Sequence, residues 1–252
     1  MDDILRIYIG WDAREDEAYQ VCKASIVRRS TQAVHITPIK LSEMYGLGIY
    51  TRAWTKDENG QRYDSRDKKP FSTDFSFSRF LVPHLQNYRG YALFVDCDFL
   101  FNADIAKLFA LMDPTKAVMC VKHEHKPTET QKMEGQIQTL YRRKNWSSLI
   151  LWNCAHPAHR ELTWRAVSEK PGSWLHGFEW LKDEDIGPLP VEWNWLEGWS
   201  PPSIEPKGIH MTRGGPWLPG WQNVSFANEW RTERRVAYDS HDEAGARIIN
   251  VK

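Results

Sequence analysis

The stretch YALFVDCDFLF, Tyr91 to Phe101, sets two carboxylates inside an apolar run. Burying an ionised carboxylate without a partner is costly, and two close together are worse. Side chains alternate along an extended chain. Asp96 and Asp98 are therefore expected on one face, about 7 Å apart, with Cys97 pointing the other way. At the end of a parallel strand, such a pair lies where α/β folds bind ligands. Hard oxygen donors suit Mg²⁺ or Mn²⁺, ions that commonly bridge carboxylates to phosphates. The competing reading makes one aspartate a helix cap and leaves the other in water.

Further along, KGIHMTRGGPW supplies an imidazole, His210, ahead of a Gly214-Gly215 turn whose backbone amides suit phosphate oxygens. Imidazole in an otherwise oxygen site favours Mn²⁺ over Mg²⁺. Arg79 and Arg213 suit charge-assisted hydrogen bonds to a diphosphate, or else ordinary ion pairs. Asp12, after the first apolar run, reads either as an acceptor for a base or ribose or as a helix N-cap. Asp183, Glu184 and Asp185 form a run of acids that by itself describes a solvated face. His123 and His125 flank Glu124, which reads as a polar strand end or loop ahead of a second metal site.

The elements that must carry these residues follow from periodicity. ILRIYIG reads as a buried strand, and Ala18, Val21, Cys22, Ser25 and Ile26 recur at helical spacing behind it. AVHITPIKL is a second strand, so the amino terminus predicts a parallel βαβ unit. WTKDENGQRYDSRDKKP, residues 54–70, is polar and aperiodic and predicts a solvated excursion. FSTDFSFSRFLVPHL predicts a helix running toward Pro83 with Arg79 near its middle. YALFVDCD, AVMCV and SSLILWNCA predict strands, with DIAKLFALM a helix between the first two. HRELTWRAVSEKPG predicts a helix up to Pro171, FEWLKDED a short one, and EWRTERRVAYDSHDEAGARI a partly helical close.

A chain of 252 residues fits one α/β domain with a large core. With 33 basic and 33 acidic residues, nothing favours nucleic acid or an anionic membrane as partner. Cys22, Cys97, Cys120 and Cys154 form no CxxC pair, which predicts neither structural zinc nor a disulfide framework and points to the cytoplasm. No run is long and apolar enough for a membrane span or a signal peptide. Eleven of the 13 tryptophans follow residue 145, which suits either core packing or flat walls for a sugar ring.

In order along the chain, IYIGWD, FSFSRF, LFVDCDFLF, SSLILWN, KDEDIGPLP and IHMTRGGPW together resemble glycosyltransferase family 8, over roughly residues 4–217. This is the retaining, metal-dependent group of glycogenin and bacterial lipopolysaccharide galactosyltransferases. The resemblance implies a GT-A-type, Rossmann-like α/β domain over residues 1–252, with a central mixed, mostly parallel sheet and an irregular Trp-rich C-terminal part. The nucleotide would sit on residues 1–120 and the donor sugar and acceptor on residues 121–252. It implies transfer of a hexose, most simply from a UDP-sugar, to an acceptor the residues do not name. Gly10, Asp12, Arg79, Asp96, Cys97, Asp98, Arg213, Gly214 and Gly215 would bind the nucleotide sugar. Asp96, Asp98 and His210 would hold Mn²⁺ or Mg²⁺, and Asp183 and Glu184 would act at the donor sugar or anomeric carbon. Lys126, Gln138 and Tyr141 would lie near the acceptor.

Three places in the sequence depart from that family. Trp146-Ser147-Ser148 stands for Asn-Ala-Gly, Glu184 for a glutamine, and Gly215 for a lysine whose charge Arg213 would supply. Two other chemistries share part of the pattern. A phosphatase or phosphotransferase of the haloacid-dehalogenase type places its Asp-x-Asp near the start of the domain, and a nucleotidyltransferase wants a basic Gly-rich loop where GWDAREDEAYQ is acidic. A non-catalytic carbohydrate-binding protein would explain the tryptophans alone.

Overall fold

The computed structural model describes residues 4–124, 143 and 145–243. The candidate residues His125, Lys126, Gln138 and Tyr141 lie outside them. In chain order, β1 (Ile4–Trp11) leads through a 3-10 turn at 13–15 into α1 (Asp16–Arg29), then β2 (Ala33–Lys40) and α2 (Leu41–Gly46). Three short strands follow, β3 (Trp54–Lys56), β4 (Arg62–Asp64) and β5 (Pro70–Phe71). Next come α3 (Val82–Leu85), β6 (Tyr91–Val95), β7 (Phe99–Phe101), α4 (Ala106–Phe109), β8 (Val118–Cys120) and β9 (Leu149–Asn153). The chain closes with α5 (Trp164–Glu169), α6 (Gly172–His176), β10 (Ile186–Pro188), β11 (Trp195–Leu196), β12 (Gly208–His210) and α7 (Ala227–Glu243).

The central sheet is mixed, in the order β10-β8-β9-β6-β1-β2. β1 pairs parallel with β2 and with β6, and β10 parallel with β8, while β9 runs antiparallel between β6 and β8. β6 and β9 sit mid-sheet and are apolar but for Asn153 at the end of β9, as strands buried on both faces are; all of β9 is buried. The amphipathic spacing of α1 holds as expected, with Ala18, Val21, Cys22, Ser25 and Ile26 buried. A second, three-stranded sheet, β11-β12-β7, packs Leu100, Ile209 and Trp195 with Val21 of α1 and Trp230 of α7. Glu233 of α7, itself buried, is held by Arg28 and Arg29 of α1.

Several local expectations need correction. Residues 54–70 are an ordered antiparallel sheet, β3-β4-β5, with Arg62 and Asp64 buried. Ion pairs satisfy that burial, so hydrophobic periodicity gives no sign of it. The helix expected to end before Pro83 instead begins around it. A 3-10 turn at 78–81 passes into α3, whose first turn holds Pro83 where a missing N–H costs nothing. Helices elsewhere are shorter than their apolar patterns: α4 keeps one turn, and α5 starts only at its Thr163 cap. The short helix expected at 178–185 is replaced by α6 upstream, a left-handed Phe178 (φ 51°) and a 3-10 turn at 183–185.

The tryptophan question resolves toward the core. Trp152, Trp180, Trp193, Trp195 and Trp230 are buried, and residues 211–226 carry neither helix nor strand.

Candidate active site

Asp96 and Asp98 do not continue an extended strand. β6 stops at Val95, the chain turns through Asp96-Cys97-Asp98, and β7 starts at Phe99. Asp96 N–H donates to Ser148 O at 2.9 Å, tying this turn to the residues that enter β9. The fold then delivers the histidine from 112 residues beyond Asp98. β12 pairs antiparallel with β7, setting His210 opposite Phe99, with Met211 N–H on Asp98 O at 3.0 Å. The imidazole stacks on the Phe99 ring, 4.5 Å between centroids. Ligand atoms of Asp96, Asp98 and His210 thus come within 4.8 Å of one another.

A hydrogen-bond chain assigns the histidine tautomer. Ser148 Oγ–H donates to Asn145 O at 2.8 Å and accepts from Asn194 Nδ2 at 2.9 Å. That orientation turns Asn194 Oδ1 toward His210 Nδ1, 3.1 Å away, so Nδ1 carries the proton. Nε2 then presents its lone pair. It is buried, makes no hydrogen bond, and faces Asp98 Oδ2 at 3.3 Å. A metal-binding histidine is usually oriented by such a partner on its other nitrogen. Two carboxylates and one oriented imidazole fit Mn²⁺ or Mg²⁺, the imidazole favouring Mn²⁺.

These groups line an open cleft, together with Arg79 and Gly214 among the sequence candidates. Arg79 is buried; its Nη1 donates to Asp96 Oδ1 at 2.7 Å and to Ser147 O at 2.9 Å, while its guanidinium lies over Phe75 and Phe94. The cleft also draws on residues the sequence reading passed over as site residues: Glu15, Ser72, Thr73, Arg143, Ser147 and His176. Ser72 and Thr73 arrive because the small sheet ends at the cleft wall. Only the departure at 146–148 could have pointed to Ser147, and local sequence carries no signal for the others.

The remaining candidates face elsewhere. Asp12 is buried and accepts from Arg14 N–H, Nε and Nη2, from Arg62 Nη1 and from Asp74 N–H. Burial alone would raise its carboxyl, but the Arg14 hydrogen bonds and charge bring it down to about 2. It caps the first turn and anchors residues 54–74, so the capping role is the one seen. Gly10 lies under Phe75; a Cβ there would meet the ring at 2.4 Å. Cys97 is buried behind the turn, its thiol donating to Glu15 Oε2 at 3.4 Å. Burial and then the Asp98 charge raise the Glu15 carboxyl above the ordinary range.

Arg213 is engaged within the protein and is not among the cleft-lining residues. It pairs with buried Glu197 at 3.0 Å and lies over Trp199 and Trp221. Gly198 makes room for it: its φ is 74°, and a Cβ there would fall 2.0 Å from Arg213 Nη2. Gly215 packs under Trp217. Asp183 is exposed but paired with Arg143, which also donates to Gly177 O; Glu184 is exposed and faces Lys182 at 3.6 Å. Neither acid lines the cleft.

No protein-family model matches the sequence. Solved structures of similar fold are glycosyltransferases. The apo form of GlyE from Streptococcus pneumoniae TIGR4 superposes with a TM-score of 0.57 at 13% identity, over 94% of this chain and 62% of GlyE. The bifunctional glycosyltransferase WbbM gives 0.55 at 14%, over 93% of this chain. LgtC, a galactosyltransferase solved with donor and acceptor sugar analogues, gives 0.50 at 9%, over 92% of this chain and 96% of LgtC. The chain spans only half the length of WbbM. These likenesses establish a GT-A-like glycosyltransferase fold. In sequence, Protein CDI of Arabidopsis thaliana is 49% identical over 233 residues, which cover 90% of this chain and 85% of that protein, and the chain belongs to its family.

Proposed function

We propose that the chain is a metal-dependent, retaining glycosyltransferase of the family 8 type, moving a hexose from a UDP-sugar to an acceptor. The observation that carries this reading is the cluster of Asp96, Asp98 and oriented His210 beside buried Arg79 in one cleft. When bound there, a divalent ion supplies Lewis-acid stabilisation of the charge that builds on a departing diphosphate. Asp96, Asp98 and His210 Nε2 would hold that ion, with Asn194 keeping the imidazole in the receptive tautomer.

The chain's own contribution is positioning and charge. Arg79 keeps Asp96 aimed into the cleft and adds positive charge beside the diphosphate. Arg143 is the second cleft-lining arginine and takes the role first assigned to Arg213. It also ties Asp183 to the cleft, which leaves Asp183 better placed than Glu184 to meet the donor sugar. A role for Glu184 at the anomeric carbon requires the 182–185 turn to swing inward, because its side chain is 74% exposed here. Among the described residues no tryptophan lines the cleft, which weighs against a lectin-like role.

The test is a thermal-shift titration with UDP plus Mn²⁺ against each alone. Ligand at a hundred times its dissociation constant adds about 2.7 kcal/mol. For a chain this long that corresponds to a rise of about 5–10 °C. The rise should need both components and vanish in Asp96→Asn. Saturating UDP and Mn²⁺ without synergy would sink the UDP-sugar reading.

A further inference from the structure

We propose that the basic turn between β4 and β5, with Lys170 beside it, binds a phosphate or carboxylate group of the acceptor, so that the sugar is moved to an anionic acceptor. This rests on the transferase reading above and names the acceptor class within it. The turn reads Ser65-Arg66-Asp67-Lys68-Lys69, and Arg66, Lys68 and Lys69 are all exposed. Lys170, the residue that closes α5, is exposed as well. The chain as a whole is neutral, with 33 basic residues against 33 acidic. These cations are therefore a local separation of charge and not part of a generally basic surface.

The fold makes that separation by committing the acids of the turn inward. Asp64 is buried and paired with Arg52. Asp67 accepts from Lys69 N–H through one oxygen and from Gly172 N–H through the other, both at 3.0 Å. With Glu169, exposed beside Lys170, four cations stand against two carboxylates. The turn is also held in place. Lys68 N–H donates to Asp64 O at 2.9 Å and Asp64 N–H to Lys69 O at 3.0 Å, with Lys68 in the left-handed region at φ 60°. Arg52 Nη1 on Lys170 O at 2.7 Å, and Asp67 on Gly172, fix it against the junction of α5 and α6. A backbone already set loses little freedom when a ligand arrives.

Location ties these cations to the cleft. Lys69 is followed directly by Pro70 and Phe71 of β5, and both line it. Lys170 stands two residues before α6, whose last residue, His176, lines it too. Neighbouring α-carbons are about 3.8 Å apart, and a helix the length of α6 spans about 7.5 Å. The patch is therefore on the cleft rim, and an acceptor that enters from this side passes over it. An anionic group there gains charge-assisted hydrogen bonds to Arg66 and the lysines. A membrane-binding face would set such cations among exposed apolar side chains. Among the described residues, none of the large exposed hydrophobics falls within 62–71 or 164–176, which favours an acceptor in solution.

The experiment measures binding of glucose, glucose 6-phosphate and glucuronate to the full chain saturated with UDP and Mn²⁺, by calorimetry. At least one of the two anions should bind about tenfold tighter than glucose, and about 0.5 M NaCl should remove most of that preference. Arg66→Gln/Lys68→Asn, whose asparagine suits the left-handed turn, should cut the preference about fivefold and hold UDP affinity within about twofold. Lys170→Gln, on a separate element, should cut it in the same sense. Equal affinity for glucose and both anions overturns the proposal and leaves the donor reading standing. A preference that both variants keep overturns it as well. A parallel loss of UDP affinity overturns it by assigning the patch to the donor. Co-sedimentation with vesicles of phosphatidylcholine and phosphatidic acid forms the last arm. Capture there that the double variant loses, with no preference among the sugars, overturns it in favour of a membrane. A wild-type chain that binds no UDP with Mn²⁺ overturns the donor reading itself.

Discussion

Arg52→Met should be among the most damaging single substitutions in this chain, although Arg52 touches no proposed ligand. Arg52 is 1% exposed and Asp64 0%, and they form a two-point pair, Nε to Oδ1 at 2.9 Å and Nη2 to Oδ2 at 2.6 Å. Arg52 Nη1 also donates to Val167 O and Lys170 O at the end of α5, and the guanidinium sits 4.0 Å from the Phe77 ring. One side chain thus joins the small β3-β4-β5 sheet to α5 and to the aromatic packing beside the cleft. Removing it leaves Asp64 charged and buried, a change that costs about 3–5 kcal/mol. That is a large part of the roughly 5–15 kcal/mol that holds a typical protein folded. Urea denaturation of the full chain measures the loss directly.

The double variant Arg52→Met/Asp64→Leu separates the pair from its surroundings. Apolar replacement of a whole buried ion pair is often neutral, so it should recover about 2–3 kcal/mol of the single loss. Recovery should be partial, because the carbonyls of Val167 and Lys170 still lack their donor. UDP–Mn²⁺ affinity should follow the same order, since β5 and the residues after it form the cleft wall. A loss below about 1 kcal/mol in Arg52→Met would refute the argument, because a buried uncompensated carboxylate cannot be that cheap.

Acid should weaken the fold through His159, which is fully buried and lowered by that burial from 6.5 to about 4. Below pH 6.5 the unfolded chain takes up the proton first, so stability is full above that pH and is lost progressively toward pH 4. Between pH 7 and pH 4.5 this one group accounts for about 2 kcal/mol. Urea curves for wild type and His159→Phe at both pH values should show the variant missing that much of the slope, and equal slopes would remove His159 as the cause. Asn194→Ala should weaken Mn²⁺ binding in the presence of UDP by about 10–100-fold, as loss of an orienting partner does. Calorimetry reads this without any activity, and unchanged Mn²⁺ affinity in a fully folded variant would refute the tautomer argument.

The strands ILRIYIG, AVHITPIKL, YALFV and SSLILWN were legible because apolar runs between turn signals have few other ways to bury themselves. So was α1, whose apolar positions recur at helical spacing. Asp96 and Asp98 stood out for a reason of local chemistry: charge inside an apolar run demands a cationic partner. Residues 54–70 hid their order because their burial is satisfied by ion pairs between distant positions, such as Arg52 with Asp64 and Arg62 with Asp12. Arg213 and Arg143 are alike as residues and each is ion-paired, with Glu197 and Asp183 respectively; only the fold decides that Arg143 lines the cleft and Arg213 does not.

By itself the sequence determined the α/β order of elements and the presence of a cation-seeking aspartate pair, since both follow from hydrophobic period and burial cost along one stretch of chain. The tertiary structure alone decided which side chains meet that pair. Strand pairing brings His210 beside Asp98, a hydrogen-bond chain through Asn194 chooses its tautomer, and the end of α6 brings its last residue, His176, to Ser147. Those contacts join residues tens to more than a hundred positions apart, and no local pattern encodes them.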